Sequence, residues 1–343
     1  MHRDRSTQRP RRLRKLQEFR GLGRFALATG TATVVSLTAS GCVVVHGERE
    51  IVPTATRAEA ARALKDFTTA YNKADKAYDR SLDARQVTGP LEDIDGAKLD
   101  AGHKNSPQGN PQHSPLELTD ARFTIPEKAG WPRWFLADTD SNKSSGDSRW
   151  LIVFTRSSAN EVWQASYLTV LATDDIPEFE KDADGWAQPV PADDAALAVE
   201  PDKLGRAYTT YLASGGDTFA PGAYTSELRA QRAKNASKPG LARQYVDEPL
   251  NSGDYAPVGL RTEDGGALVF FTTRHFEKQT AAQGVDINVT DENVKALTTG
   301  EVKQSLTLEF ASNEAVLDPA KGSGDQRVEF LSRVQGLVGA KGQ

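Results

Sequence analysis

The alternation of apolar and polar positions changes period along the chain. Over 57–81, Leu64, Phe67, Tyr71, Ala74 and Tyr78 recur at steps of three and four, which places them on one helix face. Thr56 precedes this run and Glu59 follows it by three residues, the pair needed for a capping box. A second helical stretch is expected between 82 and 99, broken at Gly89-Pro90. Residues 102–115 are rich in Gly, Asn, Gln, Ser and Pro and predict a loop. From Leu116 the period falls to that of strands, with candidates at 121–125, 134–139, 150–155, 163–172 and near Phe179.

The order then repeats. Residues 188–201 hold three prolines and read as a junction. Leu204, Tyr208 and Tyr211 open a helix, 224–235 is a further helical stretch, and strands are expected at 255–260, 267–273, 302–310, 314–317 and 328–338. Two local matches point to duplication. Leu151-Ile152-Val153-Phe154-Thr155 pairs with Leu268-Val269-Phe270-Phe271-Thr272, and Phe67-Thr68-Thr69 pairs with Tyr208-Thr209-Thr210. The pattern predicts an α+β fold of two tandem helix-then-antiparallel-sheet domains, at 57–190 and 201–343, with a linker at 191–200. A single β-rich domain with flanking helices is the alternative.

The first 41 residues follow neither period. Residues 1–24 carry nine Arg or Lys against Asp4 and Glu18, and 25–41 carry no charge. A basic head, a short apolar middle and the small residues Ala39-Ser40-Gly41 are the parts of a secretory signal at 1–41. Its 17 uncharged residues, rich in Thr, Ser and Gly, are a poor match to a spanning helix, which takes roughly 20 strongly apolar residues. Ser40, Gly41 and Cys42 resemble the lipobox of bacterial lipoproteins, with Ala39 standing where Leu is commonest. That resemblance implies cleavage between Gly41 and Cys42, a lipid on Cys42, and a lipidated tether at 42–56. Cys42 is the only cysteine, so an intrachain disulfide is excluded. Arg11-Arg12 leaves both the general secretory and the twin-arginine route open.

Removing that segment changes the charge. Taking nine basic and two acidic residues from the 42 and 47 of the whole chain leaves 33 and 45, a net charge of −12 in place of −5. Nucleic acid is excluded as a partner held by overall charge. The expected partners are the membrane, through the lipid anchor, and a cell-envelope protein or glycan, with the protein on the extracytoplasmic face of the cell membrane.

A long amphipathic helix, a second helical piece and a run of antiparallel strands resemble the NTF2-like cone, in which a curved sheet wraps the first helix and leaves a pocket at its open end. The resemblance covers both halves and rests on element order. The lipobox and the Trp131-Pro132-Arg133-Trp134-Phe135 run resemble uncharacterised lipoproteins of high-GC Gram-positive bacteria, a group that implies no activity. Some NTF2-like proteins are isomerases, dehydratases or hydrolases with an Asp or His acid/base in the pocket.

Candidates for that role here are few. His46 falls in the tether, and His103 and His113 fall in the polar loop. His275 stands at a strand end, where a surface role is the expectation. Tyr71 and Asp75, one helical turn apart, could face a pocket, but core packing for Tyr71 and a solvated face for Asp75 are the expected roles. Asp182-Ala183-Asp184-Gly185 resembles half of a calcium loop, but the closing Glu is missing and a turn is expected. Phosphate-loop, nucleophile-elbow and metal-ligand spacings are absent from the sequence, so no catalytic, metal or cofactor site is assigned. The aromatics Trp131, Trp134, Phe135, Trp150 and Trp163 are expected to fill the core or the contact between halves, with a binding platform as the alternative. A non-enzymatic binding or scaffold protein is the leading expectation. An enzyme acting on a small molecule, or a ligand carrier, is the alternative.

Overall fold

In a computed structural model, which describes residues 50–343, the first half begins with a two-residue strand, β1 (Val52–Pro53), and helix α1 (Arg57–Ala77). Both expected hydrogen bonds of the capping box form: the Thr56 side chain accepts from the Glu59 amide, and the Glu59 carboxylate accepts from the Thr56 amide. Ala60, Ala63, Leu64, Phe67, Ala70 and Ala74 make the buried stripe of α1. Helix α2 (Gly89–Asn105) corrects two expectations. Gly89-Pro90 opens the helix rather than breaking it, because Pro fits the first turn, where its missing N–H costs nothing. The helix also takes in 102–105, placing His103 in its last turn, outside the loop. Gly89 has φ +56°, and a Cβ there would lie 2.3 Å from the Asp254 carbonyl oxygen, so only glycine fits.

The strands that follow are β2 (Leu118–Thr124), β3 (Glu127–Lys128), β4 (Arg133–Ser141), β5 (Ser148–Arg156) and β6 (Gln164–Ala172). β2-β4-β5-β6 form an antiparallel sheet, and β3 pairs with β1. The segment near Phe179 makes single bridges rather than a named strand. The Asp182 carboxylate accepts from the amides of Asp184 and Trp186, forming the expected turn.

The second half contains α3 (Pro201–Ser214), α4 (Ser226–Asn235), β7 (Ser237–Lys238), β8 (Leu241–Leu250), β9 (Val258–Arg261), β10 (Ala267–Ala281), α5 (Glu292–Leu297), β11 (Thr298–Thr299), β12 (Ser305–Asp318) and β13 (Glu329–Gly342). Its sheet runs β11-β13-β12-β10-β8-β7, with β9 on β10. The two strands expected at 302–310 and 314–317 are one long strand, β12. Residues 188–201 lie against this sheet: the Val190 amide donates to the Gly259 carbonyl, and Val190 and Leu197 are buried in its core.

The central strands of both sheets bury both faces. In the first, Phe135, Ala137, Ile152 and Phe154 face α1, while Trp134, Leu136, Leu151 and Val153 face the second sheet. In the second, Val269, Phe271 and Val316 face α3, while Leu268, Phe270 and Ala315 join the shared core. Period-two alternation therefore sorts two apolar faces, which explains why these strands read as almost continuous apolar runs. The matched pentapeptides behave alike: Phe154 meets Phe67 of α1 edge-on at 5.9 Å, and Phe271 meets Tyr208 of α3 edge-on at 6.1 Å. Helix α2 packs against β6, β12, β13 and α5, and the described residues all belong to one compact unit. The fold is mixed α+β, and among the described residues no helix is long and apolar enough to cross a membrane.

Candidate functional site

Three polar constellations stand out, and the alternation of the strands positions two of them. Along β10, Val269 and Phe271 face α3, so Thr273 and His275 face the same way. His275 is not at a strand end. It sits in the middle of β10, paired with Asp247 of β8 on one side and Phe310 of β12 on the other, and it is buried. The expectation of a surface histidine fails because the charged segment 274–281 continues the strand between two neighbours. The polar inward positions of β8, Arg243 and Asp247, hide one of those neighbours from a hydrophobic pattern.

The imidazole is closed in. Tyr245 stacks on one face at 5.9 Å between ring centres, and Phe310 stacks at 5.7 Å. Nδ1 lies 2.9 Å from Asp247 Oδ1 and 3.0 Å from Arg232 Nη2. Arg232 grips Asp247 with two parallel N–H donors, at 2.7 and 2.9 Å. Burial pushes the Asp247 carboxyl up, but the hydrogen bonds from His275 and Arg232 and the Arg232 charge outweigh it and hold the group at about 2. Burial, against the pull of Asp247 and together with the Arg232 charge, lowers His275, so the ring is neutral at pH 7.

One step inward, the Glu314 carboxyl is fully buried. It accepts from the Thr273 amide at 3.0 Å, and Arg333 stands 3.7 Å away. Burial outweighs Arg333 and pushes Glu314 up to about 8. In this network Asp247 is held on both oxygens and His275 on Nδ1, while the Arg333 Nη2 is buried without a partner. A cleft of about 490 Å³ between α3, α4 and β8 opens beside it, lined by Thr209, Leu212, Arg229, Arg232, Tyr245 and Asp247 among others.

The second constellation is on α1. Tyr71 packs against the first core, as expected, with its ring 5.9 Å from Phe67. Asp75 does not face solvent freely. Its carboxylate takes His113 Nδ1 at 2.7 Å, Asn110 Nδ2 at 3.0 Å and Lys98 Nζ at 3.2 Å, and Lys98 also reaches the Tyr71 hydroxyl at 3.3 Å. Asp75 thus ties down the polar loop after α2, whose lack of apolar residues made it look unattached. Burial raises its carboxyl, but the His113 hydrogen bond and the Lys98 charge prevail and lower it. Nearby, Asp83 and Asp95 are both buried, and burial with the Asp95 charge pushes Asp83 up to about 8. No local sequence signal marks that pair.

The third constellation is aromatic and cationic. Trp134 lies in the core between the sheets, and Phe135, Trp150 and Trp163 pack in or against the first core. Trp131 instead lies under two guanidiniums, Arg133 at 4.7 Å and Arg156 at 5.2 Å from its ring centre. Arg156 also covers Trp163 at 4.6 Å. The β4–β5 register sets Arg133 directly opposite Arg156. His46 and Cys42 lie outside the described residues. Among the described residues, no group of three or more His, Cys, Asp or Glu could hold a metal ion.

Similarity to other proteins is strong along the whole chain. It is 72% identical over 324 residues to a protein of Streptomyces avermitilis named as an uncharacterized lipoprotein, covering 94% of this chain and 97% of the relative. It is 61% identical over 343 residues to an uncharacterized lipoprotein of Streptomyces coelicolor, covering both chains completely. A second S. coelicolor uncharacterized lipoprotein is 27% identical over 322 residues, 87% of this chain and 90% of its own. No solved structure matches. The model of a domain of unknown function, DUF8094, matches residues 51–342, and the chain belongs to that family of Streptomyces lipoprotein relatives.

Proposed function

We propose that the chain is an exported lipoprotein, cut after Gly41 and held by a lipid on Cys42 at the extracytoplasmic face of the cell membrane. Residues 50–343 serve there as a binding or scaffold module, and the partner is a protein or glycan of the cell envelope. The observation that carries the non-enzymatic reading is the closed state of the interior. Asp247, His275 and Asp75 are each engaged by protein groups, so none of these three stands free as an acid or base. The names of the relatives and the Ser40-Gly41-Cys42 run support the anchor. Two halves of NTF2-like type, 57–190 and 201–343, are in keeping with the repeated helix–strand contacts at Phe67–Phe154 and Tyr208–Phe271.

Replacing Cys42 with Ala tests the anchor. The wild-type protein is expected in the detergent phase with an acyl mass increment, and Cys42→Ala in the aqueous phase without one. An unmodified wild-type chain of the mature length would sink the proposal. The cleft between α3, α4 and β8 favours a second reading, a small-ligand carrier or enzyme in the second half. It requires Asp247 to release Arg232 when ligand enters.

A further inference from the structure

The charges near the start of the folded region are arranged unlike those of the interior. β1 pairs with β3, and the Thr54 hydroxyl donates to the Trp134 carbonyl at 2.6 Å, which brings 53–56 alongside the start of β4. A cleft of about 360 Å³ lies there, lined by 53–57, Glu59, Arg133, Arg156 and Trp186. Three of these residues are arginines, and Glu59 is the one carboxylate. Glu59 is already occupied: Oε2 accepts from the Thr56 amide at 2.8 Å and from its hydroxyl at 2.9 Å, and Oε1 is 3.8 Å from Arg156. The helix terminus is therefore capped from within, and the guanidiniums carry the argument.

Arg133 and Arg57 make no hydrogen bond or ion pair among the described residues, and the Nε atoms of Arg133 and Arg156 are buried without a partner. Like charges directly opposite on neighbouring strands repel. Removing guanidinium donors from water without a partner costs further free energy. Trp131 and Trp163 hold the two cations in place by their ring faces but accept no hydrogen bond. Burial, aided by the Arg133 charge, lowers Arg156 against the pull of Glu59, and three arginines against one carboxylate leave a local surplus of positive charge. Such a surplus stands in contrast to the net charge of −12 carried by residues 42–343.

Flat guanidiniums with free N–H edges match the oxygens of a phosphate group. From Cys42 to Pro53 is eleven residues, a reach of at most about 40 Å, so a membrane surface is within range of the cleft if Cys42 is lipidated. We propose that the Arg57–Arg133–Arg156 cleft binds a phosphate oxyanion, presented by a lipid headgroup or by a phosphate-bearing solute. This rests on reading residues 50–343 as a binding module. It does not rest on the lipid at Cys42.

The test uses the full mature chain and its tryptophan emission, because Trp131 and Trp163 report on the two guanidiniums. One arm titrates inorganic phosphate at constant ionic strength in neutral detergent. The other places the chain with phosphatidylcholine vesicles holding increasing phosphatidylglycerol. A saturable change is expected with inorganic phosphate, weakened at least tenfold in Arg133→Gln and in Arg156→Gln, and severalfold in Arg57→Gln. Arg57 is exposed and its replacement leaves the core intact, so circular dichroism and this variant keep loss of fold apart from loss of binding. The same change with phosphatidylglycerol assigns the headgroup as the source; a response to inorganic phosphate alone assigns a solute. No saturable response in either arm, or one that persists in all three variants, overturns the proposal.

Discussion

Arg156 and Thr273 stand at corresponding places in the two halves, two residues beyond Phe154 and Phe271 on the strand face that meets each half's own helix. In the second half the strand continues to Ala281, and its neighbour β8 with helix α4 closes Asp247, Arg232 and His275 on one another, beside the buried Glu314 and Arg333. In the first half β5 ends at Arg156, and the same position opens on a cleft where Arg133 and Arg156 face each other with Glu59, 3.8 Å from Arg156, as the one carboxylate lining it. Strand length makes the difference. Where the sheet runs on, Arg232 and Asp247 are matched inside the protein; where it stops, Arg133 is left without a hydrogen-bonding partner among the described residues.

The largest effect expected from breaking this contrast is in the closed network. Arg232→Ala leaves the Asp247 charge buried with only a neutral histidine beside it, and a loss of about 3–5 kcal/mol is expected in urea unfolding. Asp75→Asn comes next. It weakens contacts to His113, Asn110 and Lys98, with an expected loss of about 2 kcal/mol and faster proteolysis of the loop after α2.

Glu314 gives a pH signature. Its carboxyl is pushed up to about 8 from an ordinary value of 4.5, so the folded state holds a proton that the unfolded state has lost. Its contribution is complete below pH 4.5 and is lost as pH rises towards 8. Glu314→Gln should therefore match the wild type least at pH 9, where it is the more stable, and the gap should shrink on acidification. Equal pH profiles from unfolding curves at pH 5, 7 and 9 would count against it. The smallest effect belongs to Arg133→Gln, which removes a like charge opposite Arg156 and is expected to change stability by a few tenths of a kcal/mol, in the stabilising direction.

Much of the fold is legible in the sequence. The capping box at Thr56 and Glu59, the amphipathic stripe of α1 and the buried strands around Phe154 and Phe271 follow from local pattern, because each residue's role depends on neighbours in the chain. β8 does not follow, since in Leu241–Leu250 the half-buried positions include Arg243 and Asp247 while Val246 is exposed, and the strand forms through pairing with β10. Gly89-Pro90 misleads because proline has opposite meanings inside a helix and at its start. The polar sites were the least legible. His275 and Asp247 are 28 positions apart, Asp75 and His113 are 38 apart, and strand register brings Arg133 against Arg156. Trp131 was visible as an aromatic, but its two guanidinium partners were not.

Double-mutant cycles on the two charge pairs, run in one urea series, test the contrast most directly. The Arg232–Asp247 cycle should give an attractive coupling of about 2 kcal/mol or more, and the Arg133–Arg156 cycle a repulsive one that fades when inorganic phosphate is added. An attractive Arg133–Arg156 coupling, unchanged by phosphate, would mean that the first-half cluster is as closed as the second and would contradict the account.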